Sequence, residues 1–325
     1  MRLRNLCRIL PLLFAVASMS APVVAQELPP GRVTLIVPVP AGGISDAIAR
    51  IVGQGLSEIW SRTVVVENRP GGNYGVGIRA AASAAPDGLT LLVVPDSTIT
   101  ANPHMFTNLN YNWEKELTPI APLCGVNPVL TVNASVPATS VQELIALAKA
   151  KPNTLTYASF GVGTYAHLSM EDFKKRTGTE ITHVPYRGAA PALTDLLGGQ
   201  VSMMISSLST VAQQAKAGQV RILGAAGEKR SAAMPDLPTV AEAGVPGFST
   251  IAWFGLFGPA KMAPELVAKI NADVYQVISS PAVQKYFEQN SFERINVTPA
   301  QFVTLIRHDS DHWGALVRSL NIKLE

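Results

Sequence analysis

The segment TYASFGVGTYAHL, residues 156–168, holds the side chains and spacings best suited to chemistry. Its Gly161-x-Gly163-x-x-Ala166 pattern matches the dinucleotide fingerprint G-x-G-x-x-G/A and lies between a strand-like and a helix-like run. Glycine lets the chain turn sharply and lets a ligand approach the main chain, while the following helix offers unpaired N–H groups and a partial positive charge. Such a turn takes an anion, and it does not distinguish phosphate from carboxylate. The dinucleotide reading also needs an acid at the end of the next strand, about 20 residues on. Glu180 has nearly that offset but begins the run ITHVPY, which ends in Pro185-Tyr186-Arg187. The nucleotide reading is weak on this ground, and no cofactor is expected.

Other catalytic signatures fail in the same way. The nucleophile elbow G-x-S-x-G needs Gly where Tyr157 stands before Ser159, and the P-loop lysine is absent. Of the five histidines, His308 and His312 form an i, i+4 pair in RHDSDHW. No Glu follows His308, so a solvated helix face is a better reading than zinc, and no metal is expected. An exported hydrolase using Ser159 with a histidine stays only as a control.

The elements that must position these residues alternate. VTLIVP is a buried strand, followed by the turn VPAGG and an amphipathic helix over 45–59 with Ile48, Ile51, Val52 and Leu56 on one face. TVVVEN reads as a strand, IRAAASAA as a helix and LTLLVV as a strand. A helix over 140–150 opens with the capping box Ser140-x-x-Glu143. Strand LTYAS, the glycine turn, helix 166–177, strand ITHVPY, helix 191–197, strand VSMMIS, helix TVAQQAKAG and strand VRILGAAG follow. The last helix has Thr298 as cap and Pro299 at its first position, running to about Leu320. Repeated β-α-β units predict an α/β fold of parallel sheets flanked by helices. Two glycine turns about 120 residues apart, at Gly42 and Gly161, suggest two lobes facing each other.

Arg2, Arg4 and Arg8 precede an apolar run ending in small residues, which predicts a secretory signal peptide over 1–25 and a periplasmic protein. Removing three arginines from the 26 Lys+Arg leaves 23 against 23 Asp+Glu, so no basic excess argues for nucleic acid. Beyond the signal no apolar run reaches the roughly 18 to 20 residues of a membrane span. Cys124 is the one cysteine left, which excludes an intrachain disulfide and reads as a small buried hydrophobe.

The segments PVPAGGISDAIAR, VVENRPGG, AAPDGLTLL, YASFGVGTYAHLSMEDFK, HVPYRGAAPALTDLLGGQV, MPDLPTVAEAGVPGF and WFGLFGPA occur in the order seen in Bug-type (TctC-like) solute-binding proteins of tripartite tricarboxylate transporters. The resemblance covers essentially the whole mature chain. It implies a two-lobed periplasmic-binding-protein fold, with two chain crossovers between lobes placed here near 125–127 and 248–252. Lobe 1 is then 26–125 plus 252–325, and lobe 2 is 126–251. It further implies a monomer that closes on a small organic carboxylate and hands it to membrane permease subunits; an orphan or sensory role beside a sensor kinase is the alternative.

By the same resemblance Ala41, Gly42, Gly43 and Ile44 form the first ligand loop, with Ser45 either donating to ligand or capping its helix. Asp46 reads as paired with Arg50 at i, i+4. Ser159, Gly161, Gly163 and Thr164 form the second loop, and Phe160 packs on an apolar part of the ligand or on the opposite lobe. NRPGGNYGVG departs from the family's NRPGAGG, with Asn73 and Tyr74 where glycines are common, and Tyr74 is placed toward the cleft. Ser97 and Thr98 follow a strand at its carboxyl end, where open α/β sheets bind ligands. His183 and Arg187 complete the set, with Arg187 as either a carboxylate partner or a surface ion pair. Phe160 and Tyr74 lean the ligand toward an aromatic or bulky monocarboxylate.

Overall fold

The computed structural model describes residues 28–250 and 252–324; the expected signal segment lies outside the described residues. The chain first forms β1 (Val33–Val37), α1 (Ile44–Trp60), β2 (Val64–Asn68), α2 (Gly75–Ala82), β3 (Thr90–Pro95), α3 (Asp96–Thr100), α4 (Asn102–Met105), α5 (Trp113–Glu116) and β4 (Leu117–Val126). One residue later begins β5 (Pro128–Asn133), then α6 (Val141–Ala150), β6 (Thr156–Ser159), α7 (Tyr165–Thr177), β7 (Thr182–Pro185), α8 (Ala189–Leu197), β8 (Met203–Ser207), α9 (Leu208–Lys216) and β9 (Val220–Ala225). The last stretch is β10 (Trp253–Pro259), α10 (Pro264–Ile278), α11 (Pro281–Asn290), β11 (Phe292–Glu293) and α12 (Pro299–Leu320).

The strands form two sheets, ordered β11-β4-β10-β3-β1-β2 and β7-β6-β8-β5-β9. The chain therefore passes between sheets twice, at Asn127 and between β9 and β10. Both sheets are mixed. β1 pairs parallel with β2 and β3, and β6 with β7 and β8, as β-α-β alternation predicts. β10 runs antiparallel to β3 and β4, and β5 antiparallel to β8 and β9. A strand arriving from the other lobe starts at the end where the resident strands finish, so it runs against them.

Helix α1 buries Ile48, Val52 and Leu56, with Ile51 half-buried beside them. Each such fully buried side chain contributes about 1.5–3 kcal/mol. Gly55 lets α1 approach α10 closely, since a Cβ there would stand 2.5 Å from Val277 Cγ1. At α6 the Ser140 hydroxyl accepts from the Glu143 amide, but the Glu143 carboxylate takes the Thr139 amide and hydroxyl instead of closing the box on Ser140. At α12 both arms of the Thr298/Gln301 box are closed.

The RHDSDHW face differs from the expected solvated one. His308 is exposed, but Asp309 and Trp313 are buried, because they continue the row Phe302, Ile306 that α12 turns inward. Cys124 is fully buried on β4, where burial pushes its thiol up, as expected of a core residue.

Candidate functional site

The loops after β1, β2, β3, β6 and β7, with His183 on β7 itself, carry the residues singled out above. After β1, Ala41, Gly42 and Gly43 are exposed and Ile44 is half-buried. Gly42 adopts φ +91° with open space around its Cα. Its amide donates to Asp46 Oδ2 at 3.0 Å, and the same carboxylate receives Arg50 and the Asn68 side-chain amide. Burial alone would raise the Asp46 pKa, but these donors outweigh it and hold the group below the usual range. Asp46 is thus the clamp that shapes the loop. Gly43 is the cap of α1 and Ser45 lies inside the helix, so Ser45 does not cap it.

After β6, Gly161 (φ +132°) and Gly163 (φ +85°) bend the chain into α7. Ser159 is fully buried, and its Oγ sits 2.7 Å from His183 Nε2, 3.2 Å from the Gly161 carbonyl and 3.3 Å from the Gly161 amide. The Thr164 hydroxyl donates to the Gly161 carbonyl at 2.8 Å. Both hydroxyls are engaged inside the turn. The Gly163 amide donates to His167 Nδ1 at 3.2 Å, and the His167 ring stacks on His183, which stacks in turn on Tyr157. Burial and the neighbouring His183 pull His167 down to about 4; burial also lowers His183. Phe160 packs edge-on against Tyr165 with ring centroids 5.8 Å apart. A Cβ on Gly163 would meet Met105 Cε at 2.7 Å, so this turn rests directly on α4 of the other sheet's layer.

The two turns share one feature. Neither α1 nor α7 is capped by a side chain. The amides of Ile44, Ser45 and Asp46, and those of Tyr165, Ala166 and His167, have no acceptor among the described residues. These first-turn groups are the ones a helix leaves open to an anion.

At the end of β3, Ser97 and Thr98 are buried in α3 and the Thr98 hydroxyl has no partner. Beside them the sequence reading missed Asp96, which is 1% exposed. Its signal was present in LLVVPD, an acid directly after an apolar strand. Tyr74 caps α2 with φ +75°, and its phenol lies within the field of Asp96, which adds to burial in raising it. Arg187 is exposed between β7 and α8 and makes no ion pair among the described residues. Asp195 accepts from the Tyr186 hydroxyl at 2.6 Å, tying the end of β7 to α8. An open hollow of about 400 Å³ lined by Lys149, Arg176 and Gly244 lies at the opposite end of α7 from the glycine turn.

This geometry has known counterparts. The chain is 32% identical to the protein BugT of Bordetella pertussis over 326 residues, covering 100% of both chains. Its fold matches Rpa4515 of R. palustris with adipate at a TM-score of 0.83 and 32% identity, covering 90% of this chain and 99% of that one. It also matches MatC of Rhodopseudomonas palustris with bound malate at a TM-score of 0.80 and 29% identity, covering 89% and 99%. The fold is the two-lobed one of periplasmic binding proteins. Residues 48–322 match the pattern of the tripartite tricarboxylate transporter family receptor, and the chain belongs to that family.

Proposed function

We propose that the protein is an extracytoplasmic solute-binding protein. It captures a small organic carboxylate between its lobes and delivers it to the membrane subunits of a tripartite tricarboxylate-type transporter. It works as a monomer in the periplasm and binds without turnover. Lobe 1 comprises 26–125 and 252–325, and lobe 2 comprises 126–251.

The observation that carries this reading is the pair of uncapped helix N-termini, each presenting three free amides after a glycine turn. Neutral N–H donors take a carboxylate without leaving a cation buried and unpaired when the site is empty. The related proteins solved with adipate and malate support a carboxylate as the ligand class.

A thermal-shift screen of the mature protein against aromatic acids, di- and tricarboxylates, amino acids and NAD tests it. A ligand at 100 times its Kd stabilises the folded state by about 2.7 kcal/mol, well within reach of a melting measurement. A shift with one carboxylate class is the expected result; a shift with NAD alone overturns the reading.

A further inference from the structure

Asp96 directly follows β3, opens α3 and is almost fully buried, yet its Oδ2 has no hydrogen-bond partner. A second carboxyl, Asp309 of α12, faces it. Asp309 is the satisfied member: its Oδ2 accepts from the Trp253 indole at 2.7 Å, and His308 Nδ1 lies 3.1 Å from its Oδ1. The backbone amides of Ser97 and Trp253 act on Asp96, and no lysine or arginine does.

The polar ends of three aromatic side chains lie near this carboxyl. The Trp313 indole N–H points toward it without closing a hydrogen bond and has no other partner. Tyr165, the first residue of α7, has a buried hydroxyl near the Ser207 amide, without a side-chain or carbonyl partner, and it feels the Asp96 charge. Tyr74 feels it too, from a left-handed backbone conformation (φ +75°) that costs a bulky residue on the order of 1–3 kcal/mol.

The Ser97 and Trp253 amides still leave Oδ2 open, whereas a carboxyl serving only the fold would have both oxygens satisfied, and asparagine would fill the same space without charge. What a buried acid with no cation of the protein beside it takes is a cation carried by a ligand, above all an ammonium group, whose N–H bonds neighbouring phenol oxygens can also accept. Tyr165 joins this acid to the free amides of the α7 N-terminus, which favour an anion.

We propose that Asp96, with the hydroxyls of Tyr74 and Tyr165, forms a subsite for an ammonium group, so that the ligand is a zwitterion whose carboxylate lies at the α7 N-terminus. This rests on the carboxylate reading above. It narrows the ligand from any small acid to one carrying a positive nitrogen, primary or methylated.

Calorimetric titration of the mature protein with matched acids that differ at the nitrogen tests it: aspartate with succinate, alanine with propionate, and glycine betaine with 3,3-dimethylbutanoate. In at least one pair the nitrogen-bearing member binds at least tenfold more tightly, and Asp96→Asn removes that preference while melting at or above the wild type. The wild-type pairs decide the matter even if the variant does not fold. Equal or tighter binding of the carbon members, no binding in any pair, or a preference that survives in a folded Asp96→Asn overturns the ammonium subsite. So does a dicarboxylate that binds best and gains affinity as pH falls, which would set a protonated Asp96 against a second carboxylate. If other carboxylates still bind, only the subsite fails. If no acid of the wider panel binds, the carboxylate reading fails with it.

Discussion

The Ser159 hydroxyl stands 2.7 Å from His183 Nε2, a distance that would suit a nucleophile and its base. Its surroundings suit a scaffold instead. Ser159 is fully buried, and the same oxygen also meets the Gly161 amide and carbonyl, so it fixes the shape of the glycine turn. Ser159→Ala is expected to cost about 1 kcal/mol of stability and to weaken ligand binding. Hydrolysis of p-nitrophenyl acetate by the wild type should equal the buffer rate; turnover that vanishes in the variant would restore a hydrolytic role.

The two stacked histidines set a pH dependence. An unfolded histidine titrates near 6.5, and burial holds both His167 and His183 below that, His167 at about 4. Their neutral forms therefore contribute stability that is fully present above pH 6.5 and is lost as pH falls toward 4, on the order of 3 kcal/mol for His167. Protonation of His167 Nδ1 also breaks its bond from the Gly163 amide. Asp96 and Asp309, both raised by burial, act in the opposite sense, their cost easing as pH falls. Urea titrations of His167→Gln beside the wild type isolate the histidine: the variant should lose less stability between pH 6.5 and 4.

Two glycines separate backbone strain from crowding. Gly42→Ala meets only the strain of φ +91°, since nothing lies within 4 Å of the added methyl. Gly163→Ala meets similar strain at φ +85° and also the Met105 methyl tip at 2.7 Å. Losses of about 1 kcal/mol for Gly42→Ala and about 1–2 kcal/mol for Gly163→Ala are expected in denaturant unfolding. A double-mutant cycle with Met105→Ala should show coupling for Gly163 and none for Gly42.

Asn73 and Tyr74 both hold left-handed backbones, at φ +49° and +75°. Asn73 is exposed, so Asn73→Gly should raise stability by about 0.5 kcal/mol, read as a shift in denaturant midpoint. An unchanged or lower midpoint would mean that the Asn73 side chain contributes more than its backbone costs.

Phe160 is half-buried and edge-on to Tyr165, which bounds the proposed ammonium subsite. Phe160→Ala should weaken an aromatic or bulky acid more than a small aliphatic one in competition titrations. Equal losses would show that the ring serves the packing of Tyr165 alone.

Most of the β-α alternation was legible because apolar period and glycine punctuation agree there. Val33–Val37, Ile44–Trp60 and the whole of Pro299–Leu320 follow from pattern and capping. Four strands escaped, β4, β5, β10 and the two-residue β11. β4 contains Pro119 and Pro122, which cannot donate to a ladder, and its pairing with β10 slips in register around them. β10 is broken by Gly255 and Gly258, where a Cβ would strike Phe302 or Met262. The two glycine turns were legible because their conformation is local. The Asp96 cluster was not: Asp96, Tyr165 and Asp309 are far apart in sequence, and only the docking of α7 and α12 onto the end of β3 brings them together.

Only Asn127 separates β4 from β5, and it is held on both sides, its carbonyl by the Leu208 amide and its side-chain amide by the Ser291 carbonyl. A tether of one residue has almost no slack to lose. Bringing the two sheets together around a guest therefore carries little chain-closure entropy, a cost that rises with linker length. The affinity of such a receptor is then set by the enclosed contacts themselves, and lengthening this shorter of the two crossings is a change that would weaken every ligand alike.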